Sequence, residues 1–152
     1  QYQTLMFRLA PQDYHRFHCP VEARIINMET ISGSYYSVTE VSVCSANGAL
    51  LNTRTVYTLE QRNESIWYMV AVGATLVASV KTTAPLHTWL EPGDEIGTFL
   101  FGGSMVVLCI PRSSSSSKDL EVCLDDTLMT VSQQGVETFL NMGDKIGTIC
   151  SD

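Results

Sequence analysis

Short apolar runs rich in β-branched and aromatic residues, broken every few positions by turn-forming residues, recur along the whole of this 152-residue chain. No stretch keeps apolar residues at a helical period over three turns. Such a pattern folds into sheets and excludes a helical bundle. The runs read as strands over Val21–Asn27, Tyr35–Val43, Arg54–Glu60, Ser65–Val72, Leu76–Thr82, Ile96–Phe101, Met105–Ile110, Thr127–Val131 and Lys145–Cys150. One short helical turn is expected near the N-terminus, over Pro11 to Phe17. Proline suits a first helical position and Asp13 an early turn, and Pro20 pushes Cys19 into an extended conformation that ends it. On that turn His15 and His18 would share a face; on a strand they would point opposite ways.

A chain of this length fits one domain over residues 1–152 and can bury most of its apolar surface. The formal net charge is −7, and no lysine or arginine run occurs, so a nucleic-acid partner is excluded. The five cysteines, Cys19, Cys44, Cys109, Cys123 and Cys150, are odd in number and contain no Cys-x-x-Cys pair, so no metal site or redox dithiol is indicated. Reduced, mostly buried thiols and an intracellular location are expected. The most apolar run, Ile66 to Val80, falls short of the roughly 20 residues that cross a bilayer, so no transmembrane segment is expected. Ser113 to Ser117 reads as a surface loop that cannot contribute to a core.

An internal repeat refines the fold. Gly93-Asp94-Glu95-Ile96-Gly97-Thr98-Phe99 returns as Gly143-Asp144-Lys145-Ile146-Gly147-Thr148-Ile149. Each copy reads as a Gly-Asp turn feeding a strand whose glycine permits close packing. Units of this kind resemble those of biotinyl and lipoyl domains. The expected architecture is therefore mainly β: compact, barrel-sandwich-hybrid-like sheets with a pseudo-twofold repeat. No lysine stands at a hairpin tip, which argues against a carrier role.

Two stretches carry chemistry. Gly102-Gly103-Ser104 interrupts two strand-like runs, and glycines at such a break mark a bulge or close backbone approach. A serine hydroxyl there can reach the carbonyl carbon of the residue before it. Asp13-Tyr14-His15-Arg16-Phe17-His18 supplies two imidazoles, three positions apart, that could take its proton.

Together, Arg8 to Val21 and Gly93 to Ser104 resemble the phosphatidylserine decarboxylase family. Tyr35-Tyr36-Ser37-Val38, Val72 to Val80 and Val136-Glu137-Thr138-Phe139 with Met142-Gly143 extend the resemblance over nearly the whole chain, in a short or divergent form. It implies a pyruvoyl enzyme. Cleavage would fall between Gly103 and Ser104, giving fragments 1–103 and 104–152, with Gly102 and Gly103 allowing the backbone approach. Ser104 would yield the pyruvoyl cofactor, without any metal. The resemblance gives His15 the role of base and places His18 to reprotonate the carbanion after an amine substrate, bound as an imine, loses its α-carboxylate. A small-molecule or lipid-headgroup substrate, a homodimer and peripheral membrane association are the further implications. His87 has no such support and is expected on a loop.

The chain departs from the family pattern in four respects. The family uses an upstream aspartate to orient the base, whereas Asp13 is the one carboxylate before His15 here. Met105 replaces a hydroxyl residue after the serine, and Ala23 and Ala78 replace glycines. Two other readings therefore accompany the decarboxylase. One is an uncleaved scaffold that binds a hydrophobic small molecule and acts as an isomerase or cyclase; the other is a non-catalytic pseudoenzyme subunit.

Overall fold

A computed structural model describes residues 1–39, 51–74, 79–100, 102–112 and 121–150. The chain is mainly β, with a curled half-barrel sheet. In order come β1 (Tyr2–Leu9), β2 (Arg16–His18), β3 (Ala23–Ile31), β4 (Arg54–Glu60), β5 (Ile66–Gly73), β6 (Val80–Thr82), β7 (Trp89–Leu90), β8 (Glu95–Phe99), β9 (Ser104–Pro111), β10 (Glu121–Leu124), helix α1 (Asp126–Gln133) and β11 (Gly147–Cys150). A six-stranded sheet runs β1-β9-β5-β4-β3-β7, a three-stranded sheet β2-β8-β6, and β10 pairs with β11. All these pairings are antiparallel.

The main core lies between the large and the three-stranded sheets. Phe17, Ile25, Tyr57, Leu59, Trp67 and Leu108 are buried together in it. Full burial of one such side chain is worth about 1.5–3 kcal/mol before ordering costs. A second, smaller cluster joins Val38, Val72, Ala74, Met105 and Val107. Met105 is thus an apolar anchor there, which accounts for a side chain without a hydroxyl at that position.

Three expected elements are overturned in the described residues. Pro11 to Phe17 is no helix: Asp13 folds back on Ala10 in a turn, with its own N–H on the Ala10 carbonyl and its carboxylate accepting from the Ala10 N–H. The chain then enters β2, because Phe17 must point into the core. Thr127 to Val131 is no strand. It lies in α1, where the Asp125 side chain caps the N–H groups of Thr127 and Leu128 at 2.9 and 3.1 Å. The one helix of the described residues therefore stands late in the chain rather than near the N-terminus. Tyr35 to Thr39 forms no strand, and the nearest pairing is a bridge at Ser34. The rest of that expected strand, Leu76–Ala78 of another, and the serine tract lie outside the described residues.

The repeat is structural. Gly93 and Gly143 take φ of 94° and 92°, the left-handed region that glycine enters without strain. Asp94 accepts from the Glu91 N–H at 2.8 Å, and Asp144 from the Asn141 N–H at 2.7 Å. The turns feed β8 and β11.

Cys19 and Cys109 are free, and burial pushes the Cys19 thiol up to about 11. Cys123, by contrast, is disulfide-bonded, which corrects the expectation of uniformly reduced thiols. Among the described residues no helix is long and apolar enough to cross a membrane.

Candidate active site

β8 sets the spacing of the site. β2 pairs with it so that Arg16 faces Thr98, Phe17 faces Gly97 and His18 faces Glu95. His15, just before β2, sits at the exit end of β8, where its carbonyl accepts from the Phe99 N–H at 2.8 Å and the Thr98 hydroxyl at 3.1 Å. His18 sits at the entry end, beside the Gly93-Asp94 turn. Three strand positions separate the two histidines, about 10 Å of chain. They serve different ends of one strand and do not converge.

His15 is the histidine that reaches the glycine-serine turn. Its Nε2 lies 2.6 Å from the Gly102 carbonyl oxygen, and its Nδ1 lies 2.6 Å from the Asp13 carbonyl oxygen. Carbonyl oxygens only accept, so a neutral ring satisfies one of these contacts and a protonated ring both. To act as a base at Ser104, Nε2 must release the Gly102 carbonyl. The Asp13 carboxylate is occupied at Ala10, so the backbone of Asp13, not its side chain, orients the imidazole.

His18 is held at both ring nitrogens. Its Nδ1–H donates to the Gly93 carbonyl at 2.6 Å and its Nε2 shares a hydrogen bond with the Tyr14 hydroxyl at 2.8 Å, with the two rings stacked 5.7 Å apart. Across from it, hydrogen bonds from Thr83 and then Arg16 hold the Glu95 carboxyl below the ordinary carboxylate range. His87 lies elsewhere, in a turn with φ of 60°, its N–H on the Ile25 carbonyl.

Ser104 begins β9, opposite Leu9 on β1 and Gly73 on β5. It is 1% exposed, and its Oγ has no hydrogen-bond partner among the described residues. An unpaired buried hydroxyl costs on the order of 1–3 kcal/mol, and such an expense points to a functional constraint. Of the two glycines, Gly102 has φ of 81° and needs to be glycine. A Cβ on Gly103 would meet only ordinary contacts, 3.5 Å from the Leu9 carbonyl and 3.7 Å from Val38 Cγ2. Gly103 is therefore not demanded by the resting backbone.

Three further groups frame the site, of which Asn52 alone has no sign in the sequence. Asn52, fully buried, bonds to Tyr36 and Gly73. Glu137 forms a two-pronged pair with Arg8 at 2.7 and 2.6 Å, tying the Glu-Thr segment to the strand beside Ser104. Glu95 closes the other end.

The phosphatidylserine decarboxylase family profile matches residues 1–148. The chain is 32% identical over 143 residues to phosphatidylserine decarboxylase proenzyme 2 of Komagataella phaffii, covering 93% of this chain and 14% of that protein. It is 35% identical over 141 residues to proenzyme 3 of Schizosaccharomyces pombe, covering 92% and 14% respectively. With the phosphatidylserine decarboxylase proenzyme of Clostridium novyi it shares 34% identity over 145 residues, 95% of this chain and 47% of that one. The chain thus spans less than half the length of these relatives. A glycine-serine break at the head of a buried strand, an imidazole on its approach and these matches agree: the chain belongs to the phosphatidylserine decarboxylase family.

Proposed function

We propose that this chain forms the catalytic domain of a pyruvoyl-dependent carboxy-lyase that removes the α-carboxylate of an amino-acid headgroup, with phosphatidylserine the first substrate to test. The observation that carries this reading is Ser104: a buried hydroxyl without a partner among the described residues, two residues beyond a glycine in the left-handed region, in a chain of this family.

The hydroxyl oxygen adds to the Gly103 carbonyl carbon, its proton passes to a base, and the Ser104 nitrogen leaves as an amine, so an ester replaces the amide. Elimination across Cα and Cβ of residue 104 then releases the Gly103 carboxylate. Water replaces the residue-104 nitrogen, which departs as ammonia, and leaves a ketone. That carbonyl, once formed, supplies an electron sink for the electrons of a departing carboxylate. His15 is the group in reach of the turn: with Nδ1–H on the Asp13 carbonyl, Nε2 takes the hydroxyl proton once it has left the Gly102 carbonyl. The resemblance places His18 to return the proton to the carbanion; it stands at the other end of β8, on Tyr14 and the Gly93 carbonyl, so that role requires a substrate or a water to span the gap to residue 104.

The cofactor-free isomerase or cyclase and the non-catalytic subunit find no support in the family matches. Mass measurement of the freshly made protein under denaturing conditions tests the proposal. Two pieces separated between residues 103 and 104 are expected, the downstream one with a blocked N-terminus, together with CO2 release from phosphatidylserine vesicles. Ser104→Ala should give one mass and no CO2. A single uncleaved mass in protein that releases CO2 would refute it. His15→Ala should lose cleavage, CO2 release or both; wild-type rates for both steps would remove His15 from the site.

A further inference from the structure

The segment before residue 40 packs Val38 towards Gly103 and Met105, and the side chains of Asn52 and Thr53 fasten it, Asn52 at Tyr36 and Thr53 at Gly33. Val38 is buried against Met105 and faces the position where a Gly103 side chain would project. Two residues earlier, the Tyr36 N–H donates to Asn52 Oδ1 at 2.7 Å, and Asn52 Nδ2 donates to the Tyr36 carbonyl at 2.8 Å. The second Nδ2 proton goes to the Gly73 carbonyl at 2.9 Å. Gly73 is the residue opposite Ser104 in the β5–β9 ladder. Asn52 is 0% exposed, and these three bonds use one acceptor and both donors of its amide.

The neighbouring backbone repeats the same link. The Gly73 N–H donates to the Thr53 carbonyl, and Ser34 bridges to Asn52. Gly33 must be glycine there, since a Cβ would lie 2.2 Å from the Leu51 carbonyl oxygen. One amide thus joins the strap that covers the Gly103–Ser104 peptide to the strand that flanks it.

We infer that Asn52 is a positioning residue for backbone cleavage before Ser104. It touches no reacting atom. It holds Tyr36 and Gly73 in fixed relation, so that Val38 closes over Gly103 and Ser104 stays seated against β5. Cleavage depends on placing one hydroxyl against one carbonyl carbon, and misplacement by about 1 Å costs on the order of a hundredfold in such steps. This inference rests on the self-cleavage proposed above.

The test follows cleavage over time in the intact protein made by cell-free translation, with denaturing gel electrophoresis as the readout. Asn52→Leu keeps the branched heavy-atom shape and removes all three bonds; at least a tenfold slowing is expected. Val38→Ala loosens the strap without touching Asn52 and should slow cleavage several-fold. Leu59→Ala truncates the main core at the far part of β4, and at temperatures where it remains folded by circular dichroism it should cleave at the wild-type rate. Equal slowing in Asn52→Leu and Leu59→Ala at matched folded fraction would reduce the asparagine to an ordinary stabilising group and overturn the inference. Wild-type cleavage in Asn52→Leu would overturn it while leaving the self-cleavage proposal intact. Failure of the wild-type protein to cleave would overturn both.

Discussion

The two copies of the Gly-Asp repeat allow one substitution to be tried in two surroundings. In the first copy a Cβ on Gly97 would lie 2.6 Å from the Lys81 carbonyl oxygen and 2.6 Å from Cζ of Phe17. The carbonyl belongs to β6, the strand on one side of β8, and Phe17 to β2, the strand on the other. Phe17 cannot swing aside, since its ring packs against Tyr57 at 5.7 Å and Phe99 at 5.2 Å between centroids. Overpacking a core costs about 1–3 kcal/mol, and a clash with backbone on one side and an enclosed ring on the other belongs at the upper end, about 3 kcal/mol. At about 2–4 °C per kcal/mol for a chain of this size, Gly97→Ala should lower the thermal midpoint by roughly 6–12 °C. In the second copy a Cβ on Gly147 would lie 2.6 Å from the Cys123 carbonyl oxygen. That contact stays within the β10–β11 pair, so Gly147→Ala should open this strand pair without moving β2. The assay is thermal unfolding by circular dichroism alongside the rate of chain cleavage. Gly97→Ala, which shifts the strand that follows His15, should slow cleavage more than Gly147→Ala does. A midpoint for Gly97→Ala within about 2 °C of wild type would refute the packing argument.

Gly102→Ala and Gly103→Ala should separate folding from chemistry: the first forces an L side chain to φ of 81° and should cost about 1–2 kcal/mol, whereas the second should unfold close to wild type and show its defect in the cleavage rate. Equal thermal losses in the two variants would contradict the backbone assignment. The Arg8 hydrogen bond holds the Glu137 carboxyl below its usual value, so this tether is in place above the unfolded carboxyl value of about 4.3 and is lost as pH falls through the lower folded value. Hydrogen exchange of residues 136–142 should accelerate relative to the rest of the chain below about pH 4, and Glu137→Gln should already show fast exchange at pH 7; identical exchange in the two proteins at both pH values would show that the pair holds nothing.

What the sequence disclosed depended on whether the deciding interaction was local. β4 is legible to the residue, because its alternation of outward and buried side chains is uninterrupted. The Gly-Asp turns are equally plain, since the conformation at Gly93 and Gly143 is set within four residues. Pro11 to Phe17 misleads because proline and aspartate obey helix rules, while Phe17 answers to Tyr57 and Phe99 far along the chain. Thr127 to Val131 misleads in the other direction: β-branched residues suggest a strand, and the Asp125 cap decides for a helix. β1 went unread, although Leu5, Phe7 and Leu9 alternate with outward residues and pair along all of β9. At the site, Ser104, Gly102 and His15 stand out through the family resemblance. Asn52 does not, because an amide between leucines and a threonine acquires meaning only when Tyr36 and Gly73 arrive from elsewhere.

The interior position of β9 governs what scission would do to the molecule. From Ser104 onward this strand is laddered on one side through eight register positions to β1 and on the other through six to β5. Both neighbours lie upstream of the break. Cutting the peptide would therefore liberate a chain end without freeing a fragment: the downstream piece would remain woven through the sheet, and the new terminus would be held at its place of birth until a denaturant unzipped both edges.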